Sequence, residues 1–393
     1  MDRSTGENNK TISKVQIALF CFYIFLSFFE TYLTPFIGNA TKFYLLFVLA
    51  IILYQERFKI KLNYFWVCYL IWFIYKFGSI AWSNMSNTDV STHLLSQIGM
   101  VLFVIIMVGR KQNSQLLRAI LQTNLLMSFL FGILSIFFKG AFISENFVAR
   151  QVLTLFGQQN DPNNCAAFLL VGITLSLYSM IVEHKMIIVN GVIVAVNTYA
   201  LMLTSSRAGF LTFGAIIMCL VILPQSGGGA RGKEIVKRMI IIIMVLFIIV
   251  YIVQKFLPQA NLDRLLNWSE YESGSGRDVR WQRALELFVQ RPIFGWGWGG
   301  YNTRVGAIHN TFLTSLCDVG ICGTLLLILP LVMIAIESLR QKNVLSFLMM
   351  AAGILPSFVL DAINKRFFWN AIVFSVMIIL YKCETSEQIS IWS

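Results

Sequence analysis

Apolar residues run through this chain in blocks too long for a soluble core, separated by short polar or basic turns. From 239 to 253 the chain reads MIIIIMVLFIIVYIV, without a single charge. A helix needs roughly 20 such residues to cross a bilayer of about 30 Å, and several windows meet that requirement. Backbone polarity in lipid leaves only helices or a closed barrel, and these runs lack the strict alternation of barrel strands. The pattern therefore predicts an all-α, polytopic transmembrane bundle. Its twelve spans fall at about 15–36, 41–55, 62–82, 94–109, 115–138, 164–183, 186–204, 208–224, 237–257, 312–337, 344–361 and 367–382. One integral membrane domain, 1–393, is expected, with residues 258–311 forming a long loop between the ninth and tenth spans. The polar stretch MDRSTGENNKTISK precedes the first apolar run, and no small-residue cleavage site ends that run. It reads as a retained span.

Composition agrees with the pattern. The chain is 57% hydrophobic and 13% charged, where a soluble domain carries about a quarter charged residues; its mean hydropathy is +0.71. The net charge of +12 does not imply nucleic acid here, because Lys and Arg in a membrane protein first report orientation. With the N-terminus inside, the inner segments hold Arg3, Lys10 and Lys14, then Arg57, Lys59 and Lys61, then Arg110, Lys111 and Arg118. Lys185, the group Arg231, Lys233, Lys237 and Arg238, and finally Arg340, Lys342 and Lys382 follow the same rule. The outer loop 84–93 has no basic residue apart from His93. Both termini are thus expected in the cytoplasm. The seven cysteines show no CxxC or other metal spacing and read as small core hydrophobes.

The outer face is the anomaly. It collects Lys139, Arg150, Arg207, Lys365 and Arg366, and the long loop adds Arg264, Arg277, Arg280, Arg283, Arg291 and Arg304. Long loops cross whatever their charge, so the topology survives. Guanidinium offers a rigid fork of donors suited to phosphate; contact with anionic headgroups is the simpler reading for any one arginine, less so for the set. From 276 the loop reads GRDVRWQRALELFVQRPIFGWGWGGYN. Arg277, Arg280 and Arg283 share one side of a helix, with Trp281, Leu285 and Phe288 beside them, as in an interfacial amphipathic helix. Pro292 stops it, and Gly295, Gly297, Gly299 and Gly300 permit a tight turn or a close approach to ligand. Trp296 and Trp298 read equally well as interfacial anchors.

His309 and Asn310 stand at the outer mouth of the next span, and histidine exchanges a proton near neutral pH. Asp318 lies deeper, with Gly320 and Gly323 expected to ease helix packing; Lys76 and Asp318 are the few ionisable candidates at depth. Residues 204–209, TSSRAG, fix Arg207 at the membrane edge. The turn 157–164, GQQNDPNN, leaves two readings open: Asn163 or Asn164 hydrogen-bonds sugar hydroxyls, or caps the following helix. No Walker motif, strand-bound GxGxxG, HExxH or metal-spaced acidic pair is present.

The order SSRAG, GRDVRWQRALELFVQRPIFGWGWGGY and HNTFLTSLCDVGICG, over about residues 200 to 325, resembles the O-antigen ligase/O-antigen polymerase superfamily. The resemblance implies a GT-C-like glycosyltransferase at the periplasmic or extracellular face of a bacterial inner membrane. Its donor would be an undecaprenyl-diphosphate-linked oligosaccharide. Its acceptor would be another lipid-linked glycan in a polymerase, or lipid A-core in a ligase. Membrane lipids, a flippase and a chain-length regulator are the further partners. Carried over, Arg207 and the Arg277/Arg280 pair would hold the diphosphate, and His309 would be the general base or would orient the acceptor hydroxyl. Arg283, Arg150, Asn163, Asn310 and Gly297 complete the expected substrate contacts. No cofactor and no metal are implied, which agrees with the missing acidic motif, and the expected step is one inverting displacement. The loop before the sixth span has about 25 residues, shorter than the second large loop of many polymerases, so the plan is at least as ligase-like. Polymerisation of O-antigen or capsular repeat units leads nonetheless, because polymerases occur with and without lipopolysaccharide. A transporter of lipid-linked glycans is the rival class, but the charges gather at one face and no internal repeat is evident.

Overall fold

A computed structural model describes residues 14–38, 40–83, 87–142, 150–223, 231–266, 277–301 and 305–392. Arg3, Lys10, Arg304 and positions 84–86 of the outer loop lie outside the described residues. Nine helices precede the long loop: α1 Lys14–Ile37, α2 Ala40–Gln55, α3 Tyr64–Gly78, α4 Asn87–Gly109, α5 Ser114–Phe137, α6 Pro162–Tyr178, α7 Ile187–Leu203, α8 Arg207–Ile222 and α9 Arg231–Phe256. Within that loop lie α10 Gln259–Leu266 and α11 Arg277–Gln290; α12 Thr311–Arg340, α13 Val344–Ile354 and α14 Arg366–Thr385 follow. Among the described residues, six segments are long and apolar enough to cross a membrane, and five shorter apolar helices accompany them. The chain is an α-helical membrane protein.

Side-chain caps start several helices where the sequence supplies them. Asn63 accepts from Phe65 N–H, Asn113 from Gln115 and Leu116 N–H, and Asn343 from Ser346 N–H, relieving donors that a helix start leaves unpaired. At the centre stands α6, whose residues 162–178 are all buried. Within lipid there is little hydrophobic drive between helices, so close packing and interhelical hydrogen bonds matter more. Both occur here. A Cβ on Gly172 would lie 2.3 Å from Ser128 Oγ, and Asn197 Nδ2 of α7 donates to Ser128 Oγ of α5 at 3.1 Å. Arg366, at the head of α14, donates to Glu30 of α1 at 2.6 and 2.9 Å, joining segments far apart in sequence.

Three features depart from the sequence reading. A small antiparallel sheet, β1 Lys139–Phe142, β2 Arg150–Leu155 and β3 Gln158–Gln159, occupies the loop before α6. Lys139 faces Leu153, Phe142 faces Arg150, and Thr154 faces Gln159. These strands are too short for an alternation signal to emerge. The expected span 344–361 is cut short, since Pro356 sits in a 3-10 turn, Leu355–Phe358, and cannot continue a helix. Of the cysteines, Cys165 and Cys317 are buried, but Cys322 and Cys383 are exposed rather than core residues.

Candidate active site

The site is organised around a break in a helix. In α12 the backbone at Gly320 has φ 64° and ψ −166°, after which the helix resumes. The break frees main-chain groups, and residues 292–299 take them up. Trp296 N–H donates to Cys317 O, Gly297 N–H to Asp318 O and Ile321 N–H to Pro292 O, each at 2.8 Å. Gly299 N–H donates to Asp318 Oδ1 at 2.8 Å. A Cβ on Gly320 would stand 2.2 Å from Ile293 O, and one on Gly297 2.5 Å from Ser79 O. The glycines thus permit a close approach to the chain's own backbone, and Gly297 is buried against it. Gly320 opens the helix instead of easing its packing. Trp296 and Trp298 are 8% and 4% exposed, so neither anchors the protein at an interface. The Trp296 indole donates to Leu287 O at 2.8 Å, and the Trp298 ring lies 4.8 Å from the Lys76 ammonium.

The next turn presents His309. Asn310 caps α12, accepting from Phe312 and Leu313 N–H at 3.0 and 3.1 Å, so its amide oxygen is engaged with the helix start. His309 has φ 56°, a conformation uncommon outside glycine. The surroundings hold it there. His309 N–H donates to Asp361 Oδ2 at 3.0 Å, and Ile308 O accepts the Trp281 indole at 3.0 Å. Thr311 Oγ donates to Leu360 O at 2.6 Å and accepts Ala362 N–H at 2.8 Å. The imidazole is half-buried. Burial holds its pKa below the ordinary 6.5; Asp361 and Asp161 oppose that, while Arg277 and Arg280 push the same way. A neutral imidazole at physiological pH is able to accept a proton.

Arg277 and Arg280 lie in the first turns of α11, both half-buried. Desolvation lowers the Arg277 pKa, against the pull of Asp161, but a guanidinium stays charged. Arg283 is exposed. Ala284 and Leu287 form the buried face of α11, and Leu285 is 47% exposed.

The third group comes from the sheet and the starts of α6 and α8. Arg150 is buried; its Nε donates to Thr204 O at 2.8 Å and its Nη2 to Asn163 Oδ1 at 3.1 Å. Ser206 Oγ donates to the same Asn163 oxygen at 2.7 Å and caps α8 at Gly209 N–H. Arg207 therefore opens α8 beside a network through which Arg150 and Asn163 support the turn. The cap of α6 is Asp161, not Asn163 or Asn164; it accepts from both of their N–H groups, at 2.8 and 3.3 Å. Since Asp161 acts on Arg277 and His309 alike, it links this group to the other two.

Residues 192–328 match the family model described as O-Antigen ligase. The chain carries an O-antigen ligase/polymerase segment. That segment runs from α7 into α12 and includes Arg207, Arg277, Arg280 and His309. No curated protein matches the chain. Two carboxylates to which the motifs do not point, Asp161 and Asp361, also act on His309. Asp161 sat in a turn read for its asparagines. Asp361 sat at the end of an expected span, where a costly carboxylate is itself a signal. His309 and Arg277 thus stand at or just before the N-termini of α12 and α11, where helix dipoles favour anions.

Proposed function

We propose that this protein is an inverting membrane glycosyltransferase that moves saccharide from an undecaprenyl-diphosphate-linked donor to an acceptor hydroxyl. The observation that carries the reading is that the segment matching the O-antigen ligase family holds Arg207, Arg277, Arg280 and His309, all half-buried. In the proposed step His309 takes the acceptor O–H proton, and the oxygen forms a bond to the anomeric carbon. The bond from that carbon to the phosphate oxygen breaks, and the diphosphate leaves with the electron pair. Arg277, Arg280 and Arg207 stabilise that charge, a preorganised role that suits guanidinium and helix N-termini. Arg150 and Asn163 act as supports.

The same proposal places twelve spans across a bacterial inner membrane, both termini in the cytoplasm and the site on the outer face. The loop 258–311 is its extracytoplasmic insertion, within one membrane domain. Repeat-unit polymerisation is the first reading. Transfer to lipid A-core is the second, favoured by the compact loop that β1–β3 occupy. Purified protein given a lipid-diphosphate oligosaccharide is expected to release undecaprenyl diphosphate only when acceptor is present. A ladder of products marks polymerisation, and a single addition marks ligation. His309→Ala and Arg207→Ala are expected to lose turnover by about 100-fold or more while eluting as folded protein. Full activity in both would overturn the assignment.

A further inference from the structure

Beneath the His309 turn lies a cavity of about 200 Å³, several times the volume of one water, that none of the diphosphate or base assignments uses. Its chemistry is mixed and incompletely satisfied. Lys76 of α3 is 3% exposed; its ammonium meets the Trp72 and Trp298 rings at 5.2 and 4.8 Å. Among the described residues no carboxylate comes within ion-pair distance of it. Asp318 and Asp361 line the same space. Asp318 gives one oxygen to Gly299 N–H. Asp361 accepts from His309 N–H and from Thr314 Oγ. Asp318 acts on the Lys76 ammonium from beyond ion-pair distance; a desolvated ammonium without a closer oxygen among the described residues is costly, and the cavity is where such a partner would sit.

Charge narrows what that partner is. An anion would meet two carboxylates against one ammonium. A cation would meet the ammonium, and no cluster of metal-ligating side chains occurs among the described residues. A neutral polyhydroxylated ligand satisfies both signs, since each hydroxyl donates to a carboxylate and accepts from the ammonium. The cavity has room for about one sugar ring. Asp361 joins it directly to the turn that carries His309.

We infer that this cavity seats the terminal sugar ring of the acceptor, with Lys76 and Asp318 as residues that set acceptor specificity. The inference rests on the glycosyltransferase reading and adds the acceptor subsite to it. Its position explains why an acceptor hydroxyl, rather than water, reaches the base: the ring is held from below while the donor is held by the arginines.

Three variants test it: Lys76→Met, Asp318→Asn and Ala307→Phe. Ala307 is exposed and lines the cavity, so the phenyl ring obstructs the cavity without disturbing a buried contact. With donor saturating, KM for lipid-linked repeat unit or lipid A-core is expected to rise about tenfold or more in each folded variant, while KM for donor stays within twofold. An unchanged acceptor KM in Ala307→Phe and Lys76→Met would overturn the inference. Should the buried variants fail to fold, Ala307→Phe decides alone. Should the wild type turn over neither acceptor, the glycosyltransferase reading fails instead. Calorimetric titration of the detergent-solubilised full chain with acid-released repeat-unit oligosaccharide then decides the cavity. Binding that Ala307→Phe abolishes supports it, and no binding, or equal binding by both, refutes it.

Discussion

At the scale of single residues, the electrostatics of His309 make a directional claim about pH. Its pKa lies below the ordinary 6.5 because burial and the two arginines disfavour the imidazolium. A base works only when unprotonated, so turnover is expected to decline on acidification with a midpoint below pH 6.5. A pH–rate profile with its acid limb above 6.5 would count against His309 as the base. The arginines divide in a similarly testable way. Arg277→Gln removes a half-buried cation beside the base and is expected to slow transfer by about 100-fold or more. Arg283→Gln removes an exposed one and is expected to leave the rate within a fewfold, both measured as release of undecaprenyl diphosphate in the presence of acceptor. Sequence spacing put these arginines on one side of a helix but could not rank them. Burial ranks them, and burial depends on how α11 rests on α12. Asp161 and Asp361 were illegible for the same reason: a carboxylate reveals its role through what it faces.

At the scale of elements, the break at Gly320 is the feature on which site geometry depends. Gly320→Ala would force a Cβ to 2.2 Å from Ile293 O at φ 64°, a strain of about 1–3 kcal/mol before the clash is counted. A lowered melting temperature in detergent and loss of turnover are expected. Gly214→Ala, in the exposed face of α8 where a Cβ meets nothing within 4 Å, is expected to leave both unchanged or raise stability slightly. Most helices were legible because a run of apolar residues long enough to cross a bilayer has few alternatives in lipid. The sheet and the break were not. Two- to six-residue strands carry no periodicity, and a glycine reads the same whether it eases helix packing or admits another backbone. The glycine-rich turn was legible as a place of close approach, but its partner, the α12 backbone, lies outside any local pattern.

For the whole molecule, ion pairs such as Arg366–Glu30 and Arg110–Glu56 join different helices of the bundle near their ends. Glu30→Gln is expected to lower stability by about 2 kcal/mol. That is less than the 3–5 of a fully buried pair, because Glu30 keeps 29% of its side-chain exposure; thermal unfolding followed by gel filtration measures it. Sidedness is equally open to test. In a chain whose native cysteines are replaced, Arg283→Cys is expected to react with a membrane-impermeant maleimide in intact cells, and Lys59→Cys only after permeabilisation. The reverse pattern would invert the proposed topology. Charge sorting alone proposes the orientation, since basic residues at inner loops follow a general rule, and the labelling pattern decides it. The motif order and the family match, not charge, propose a task for the outer face.

The pairing of residues 292–299 with the opened turn of α12 also bears on how this region tolerates changes in length. Main-chain bonds at Pro292, Trp296, Gly297 and Gly299 are locked in register, so inserting one residue between them would displace every later bond and the histidine turn beyond. Side chains there are far less constrained: Ile293 and Phe294 are 55% and 58% exposed. Variants of this protein that keep transfer activity should therefore differ freely in the identity of those two residues, and hardly at all in the number of residues that connect Pro292 to Gly300.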